Sequence, residues 1–251
     1  MKTMAYLLPL YLTATTLLAH ETQVIPNTIK SLVCSNQIQL SIHRSPEKQS
    51  SKVVTSDNVN TEFNDHEIHL FTQQKANNLD STAHLELGHD SLELKCHDSC
   101  QVNISDLDTQ LDLNMADSCQ VYLDGAIRVN HIRQRHRSAL RGQWIHSPSL
   151  QLTSKNASTT KLLGFIERAT FDISDNAIVD MSGAEINKAW IKAVESAKIG
   201  LRPIDQLFAY GDDSSSVYYF NRLKLQHIQA DSNSDIIWVN PKWINQVSFQ
   251  K

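Results

Sequence analysis

Glycine and proline are scarce here, seven and six of 251 residues. That is about half the usual share and excludes collagen-like and Pro/Gly-rich disordered chains. No charge of one sign dominates: a formal net charge of -4 gives no overall pull toward nucleic acid, and none is expected as a partner. After residue 19 no apolar stretch reaches the roughly 20 residues that a spanning helix needs. Gly-x-Ser-x-Gly, His-Glu-x-x-His and a phosphate-cradling loop are also missing, so no cofactor is implied. What is present, 41% hydrophobic and 20% charged residues, belongs to an ordinary folded chain long enough for one large domain or two small ones.

The first 19 residues read as a secretory signal peptide. Lys2 forms a short basic start, Ala5 to Ala19 is apolar apart from Pro9 and three Thr, and the polar His20-Glu21 follows. Cleavage after Ala19 is expected, with no Cys nearby for lipid attachment. The remainder is then exported to the periplasm, the outer surface or the medium.

A repeat organises the second half. Polar pairs recur at Asp98-Ser99, Asp117-Ser118, Arg137-Ser138, Ala157-Ser158, Asp175-Asn176, Glu195-Ser196, Ser214-Ser215 and Asn233-Ser234, always 18–20 residues apart. Alternating apolar residues follow most of them, as in Val102/Ile104, Val121/Leu123 and Ile199/Leu201, and a second alternating pair comes later in several units. A unit of about 19 residues is too short for helical repeats or propeller blades, and the Leu-x-Leu and Asn ladder of leucine-rich repeats is absent. The period suits one coil of a parallel β-helix, whose coils stack at about 4.8 Å and bury alternate side chains. The expectation is an all-β, single-domain, right-handed parallel β-helix with coils of about 19 residues. Eight such coils would stand roughly 38 Å high. Ile38/Leu40/Ile42, Ile68/Leu70, Leu85/Leu87 and Leu92/Leu94 give the earlier region strand patterns without the repeat. No Pro/Gly linker divides the two regions, so one continuous domain from about residue 25 to 245 is expected.

Cys34, Cys96, Cys100 and Cys119 are disulfide candidates with three possible pairings. Cys100 and Cys119 follow successive tips and should be vertical neighbours, either bridged or stacked as thiols. Their spacing matches no standard zinc pattern, and no metal site is expected.

These strands and tips resemble the auto-transporter adhesin head GIN domain family. The likeness runs through Ile38 to His43, Glu67-Ile68-His69-Leu70, Leu85-x-Leu87 and Ser91-Leu92-Glu93-Leu94. It is closest over Ile191 to Ile199, Asp205-Gln-Leu-Phe-Ala-Tyr-Gly211 and Ser214-Ser-Ser-Val-Tyr-Tyr219. The family's Gly-Ser-Gly tips are replaced here by Asp-Ser-Cys or Ser-Ser-Ser, and Phe220-Asn221-Arg222 stands where a Gly and a Pro are common. The resemblance implies an exported bacterial β-helix with no established catalytic residues, an adhesin-like binding module. Asp, Asn and Ser can occupy left-handed turns, which reconciles the low Gly count with a turn-rich fold.

Charge is distributed in blocks. Asn78 to Asp124 holds ten acids and one Lys, whereas Gly125 to Ile166 holds seven Lys and Arg and no acid. One reading is a ligand-binding strip of Arg128, Arg133, Arg135, Arg137 and Arg141 for an acidic glycan or lipopolysaccharide phosphates, with Arg133, Arg135 and Arg137 projecting alternately from a strand. The other is mutual neutralisation of stacked bands. A polysaccharide-acting enzyme is the competing function, with Asp106/Asp108, Asp212/Asp213 or Asp112 near Arg128 as its acids; the chain is read as non-enzymatic, without catalytic residues. His66/His69 and His84/His89 read as surface histidines. Trp144, Trp190, Trp238 and Trp243 read as core, cap or sugar-stacking residues, and Trp238 to Trp243 as a terminal cap.

Overall fold

The computed structural model describes residues 21–240 apart from 27–28, 47–49, 65, 73–80, 89 and 224. The expected signal peptide and Trp243 lie outside the described residues. Among the described residues every regular element is a strand.

The N-terminal part contains β1 (Glu21–Ile25), β2 (Ser31–Cys34), β3 (Ile38–Arg44), β4 (Ser51–Thr55), β5 (Asn60–Phe63), β6 (Glu67–Phe71) and β7 (Ser81–Leu87). The solenoid continues with β8 (Ser91–Cys96), β9 (Gln101–Ser105), β10 (Gln110–Met115), β11 (Gln120–Asp124), β12 (Arg128–Gln134), β13 (Ala139–Ser147) and β14 (Leu150–Ser154). Three long strands follow, β15 (Thr159–Ile173), β16 (Ile178–Ala193) and β17 (Lys198–Gly211), then β18 (Ser216–Tyr219), β19 (Leu225–Ala230) and β20 (Asp235–Trp238).

Each coil has two faces. The first carries β8, β10, β12, β14, the later halves of β15 to β17, and β19; the second carries β9, β11, β13, the earlier halves of β15 to β17, β18 and β20. Every pairing in this stack is parallel, which confirms the β-solenoid, about eight coils of roughly 19 residues. The interior is built from matching positions one coil apart. Leu94, Leu113, Ile132, Leu152, Phe171 and Ile191 stack beneath the first face, and Val102, Val121, Leu140, Thr160, Val179 and Ile199 beneath the second, all buried.

The tips fall at residues 98–99, 117–118, 136–137, 156–157, 175–176, 195–196, 213–214 and 232–233. Four of the eight stand one residue earlier than the Ser-anchored pairs suggest. In those coils the serine is the residue after the turn, half-buried at Ser234 and buried in the other three: Ser138, Ser158 and Ser215 occupy the level held elsewhere by Cys100, Cys119, Ala177 and Ala197. Small side chains are needed there because the chain reverses against the coil beneath. Asp98, Asp117, His136, Asn156, Asp175, Glu195 and Asp213 all adopt left-handed backbone, φ 50–61°. In four tips the next residue does so too, and Ala177, Ala197 and Ser215 close i to i+3 bonds of 3.2 Å, the primed turn that matches strand twist.

The cysteines form two bonds, Cys34–Cys100 and Cys96–Cys119. Cys100 and Cys119 are vertical neighbours, but each is bonded diagonally, to the strand end of the coil beneath. Cys34 and Cys96 are likewise stacked, at the ends of β2 and β8.

The N-terminal coils do not stack in chain order. β2 lies between β6 and β8, and β3 between β7 and β9, so the first coil of the chain is inserted between the second (β6, β7) and the third (β8, β9). Antiparallel β4 and β1 extend one face, and antiparallel β5 extends the other. Glu67 pins this arrangement. Lys95 Nζ and His69 Nε2 each lie 2.5 Å from its carboxylate, and Ser31 Oγ donates to it at 2.8 Å. Lys95 is on β8, beyond the inserted β2, so the ion pair spans three strands. That ammonium is the main reason the Glu67 carboxyl is held down at about 2. A depressed carboxyl contributes stability above its ordinary value near 4.5, and the contribution is lost as pH falls toward about 2. Glu67→Gln should therefore cost about 1–2 kcal/mol at neutral pH, with the melting curves of variant and parent converging near pH 2.

Candidate functional site: an aromatic column on the first face

The five arginines of the basic block do not share one surface. Arg128 opens β12 at a corner, 3.3 Å from Asp108. Arg133 stands on the first face between Asn114 and Thr153. Arg135 and Arg137 flank His136 at the tip and do not project from a strand, while Arg141 lies on the second face between Tyr122 and Lys161. Among the described residues the acidic and basic bands meet across coils at three points: Arg128 with Asp108, His131 with Asp112 at 2.9 Å, and His136 with Asp117 at 2.9 Å. Asp112 faces His131 and not Arg128: Arg128 pairs with Gln110, and the one-residue register shift after Val129 passes over Asn130. Exposed pairs of this kind contribute about 1 kcal/mol or less. Among the described residues, Arg133, Arg135, Arg137 and Arg141 have no carboxylate at ion-pair distance.

The other candidates are occupied locally. Asp212 accepts from the Tyr210 hydroxyl at 2.9 Å and from the Asp213 N–H at 3.0 Å, so it shapes the tip. Asp106 lies in a left-handed corner. His69 is bound to Glu67, His84 is on the exposed side of β7, and His89 lies outside the described residues. Among the described residues no three His, Cys, Asp or Glu side chains are grouped as a metal site.

The outer surface of the first face changes character along the column. Reading upward through paired positions, Glu93, Asp112, His131, Gln151 and Thr170 give way to Trp190, Phe208 and His227. The adjoining column runs Asn114, Arg133, Thr153, Asp172, Lys192, Tyr210 and Gln229. The Trp190 and Phe208 rings are parallel within 3° with centroids 5.8 Å apart, and His227 continues the series 6.5 Å beyond Phe208. Trp190 and Tyr210 are each 37% exposed. A depression of about 250 Å³ lies against these rings and is bordered by Thr170, Lys192, Tyr210, His227 and Gln229.

Strand alternation alone places these aromatics outside, since Ala189, Ile191, Leu207 and Ala209 take the inward positions. Read singly, Trp190 looks like core or cap. The signal that identifies it is the coil period: 190, 208 and 227 are equivalent positions one coil apart. The other tryptophans differ. Trp144 is 72% exposed at a corner, and Trp238, on β20, packs against the core with the Arg222 guanidinium 4.7 Å over its ring.

No family model and no curated protein matches the chain. Solved structures do. A "putative adhesin" from Parabacteroides merdae ATCC 43184 superposes with a TM-score of 0.73 at 13% identity, over 88% of this chain and 96% of that one. A "putative lipid binding protein" from Parabacteroides distasonis ATCC 8503 gives 0.68 at 15% identity over 87% and 96%. A further "putative adhesin" from that organism gives 0.69 at 10% over 87% and 97%. At these identities the likeness establishes the fold. Proteins bearing adhesin names share the solenoid, while the likeness to the GIN family is one of sequence motifs alone.

Proposed function

We propose that this protein is an exported, non-enzymatic, adhesin-like binding module of the bacterial envelope or exterior, holding a surface saccharide on the outer side of its solenoid. The observation that carries this reading is the Trp190, Phe208, His227 column. Three aromatic rings stand on the outer side at equivalent positions of successive coils, Trp190 and His227 exposed and Phe208 half-buried between them. The structural neighbours named as adhesins support it at the level of fold. A second contact patch is favoured by Arg133 on the first face and Arg135 and Arg137 at the adjoining tip, which have no carboxylate at ion-pair distance among the described residues and suit the anionic groups of an acidic glycan or lipopolysaccharide.

The test is a glycan array run with an assay for reducing-end release. Saturable binding without release is expected. Release of new reducing ends, abolished by substitution of an aspartate, would replace the adhesin reading with a polysaccharide-acting enzyme.

A further inference from the structure

We propose that the depression on β15 to β19 is the seat of an acidic saccharide, one sugar unit against the Trp190 and Phe208 rings and its anionic group toward Lys188 and Arg168. This rests on the reading of the protein as a saccharide-holding module and names the class of saccharide.

The aromatic floor is one half of the argument. Sugar rings carry apolar C–H surface edged by hydroxyls. The depression matches that mixture, with Trp190 and Phe208 beneath and Thr170, Tyr210, His227 and Gln229 as hydrogen-bonding groups at its border. The opening is too shallow to enclose a purely apolar ligand.

Charge selects the kind of sugar. Arg168 and Lys188 are paired positions of adjacent coils, and Lys188 is two residues before Trp190 on the same outer side. Lys192, two residues after Trp190, lines the depression itself. Against these three cations the same ladders carry one acid, Asp172, paired in register with Lys192. Among the described residues Arg168, Lys188 and Lys192 have no carboxylate at ion-pair distance. On the tip side Asp212 holds the Tyr210 hydroxyl, with Asp231 near enough to join Asp212 in raising the pKa of that phenol. There Lys192 is outweighed by Asp172, Asp212 and Asp231, whereas Lys188 and Arg168 stand together on the other side, so an anionic group is drawn to that other side and the ligand is oriented across the strands.

Titration of the full protein with a galacturonate hexamer and with a neutral galactose oligomer of equal length, followed by tryptophan fluorescence and calorimetry, tests this. The galacturonate hexamer should bind more tightly, and more weakly at high salt. Trp190→Ala should weaken it at least about tenfold, and Lys188→Ala/Lys192→Ala by about fivefold with loss of the preference over the neutral oligomer. All three side chains are on the outer surface, so unchanged melting temperatures are expected; Trp190→Gln provides the same comparison should the alanine variant melt early. Equal binding of the neutral oligomer overturns the acidic class and leaves the adhesin reading standing. Binding that survives Trp190→Ala and is lost in Arg133→Ala/Arg135→Ala/Arg137→Ala overturns this seat in favour of the arginine surface. Binding of no saccharide, on the array or in solution, overturns both.

Discussion

Replacing Cys34 and Cys100 together by alanine is expected to destabilise the protein by about 4 kcal/mol, and replacing Cys96 and Cys119 by about 3.5 kcal/mol. The difference follows from the loops the bonds close, 66 and 23 residues, because a longer loop loses more freedom in the unfolded chain. For a chain of this size the first change corresponds to a fall in melting temperature of about 8–16 °C. The larger effect has a second origin in the order of the coils. Cys34 ends β2, the strand inserted between β6 and β8. Without its bond to Cys100, β6 offers β8 a competing partner of the same alternating pattern, Ile68 and Leu70 in place of Leu32 and Cys34. Thermal melts of the two double variants, oxidised and reduced, check this. The Cys34/Cys100 variant should melt lower and respond to reductant only through the remaining bond. A loss within about 2 °C of the parent would show that stacking alone sets the coil order.

Period and strand alternation were legible in the sequence because both are local: a side chain's parity fixes its face, and a polar turn every 19 residues fixes the coil. The tips read one residue late at Ser138, Ser158, Ser215 and Ser234 because serine serves two purposes here, exposed in some turns and buried beneath others. Stacking order was not legible. An alternating strand looks the same whether it is parallel or antiparallel and whether it lies above or below its neighbour, so neither the inserted β2 nor the antiparallel β1, β4 and β5 announced themselves. The arginine block illustrates the reverse problem. Nearness in sequence suggested one strip, but residues 128 to 141 travel from a corner, across one face, around a tip and onto the other face. Surfaces of a solenoid are made by residues one coil apart, as Trp190, Phe208 and His227 are. Composition within a window hides them.

Gly164→Ala is expected to cost more than about 3 kcal/mol, far more than alanine at Gly142 or Gly183. The corner after β13 shows why. Gly142 pairs with Leu162 and Ile145 pairs with Gly164, so β13 spends two residues where β15 spends one, and the surplus is taken up by Trp144 in left-handed backbone at φ 60°. The bulge presses the Ile145 main chain against the coil above. A Cβ on Gly164 would stand 2.1 Å from the Ile145 carbonyl oxygen and 2.6 Å from its nitrogen, and its φ of 142° already disfavours a side chain. At Gly142 and Gly183 the obstructing atoms are the ends of Leu162 and Leu163 side chains, which can rotate away. Because both partners at Gly164 are backbone held in a ladder, relief requires the corner itself to open, and the register of β13 with β15 would slip with it. Denaturant unfolding of the three alanine variants separates these cases. Equal losses at Gly164 and Gly183 would mean that the bulge yields freely, and that Trp144 is not held in its left-handed conformation by the coil stacked above it.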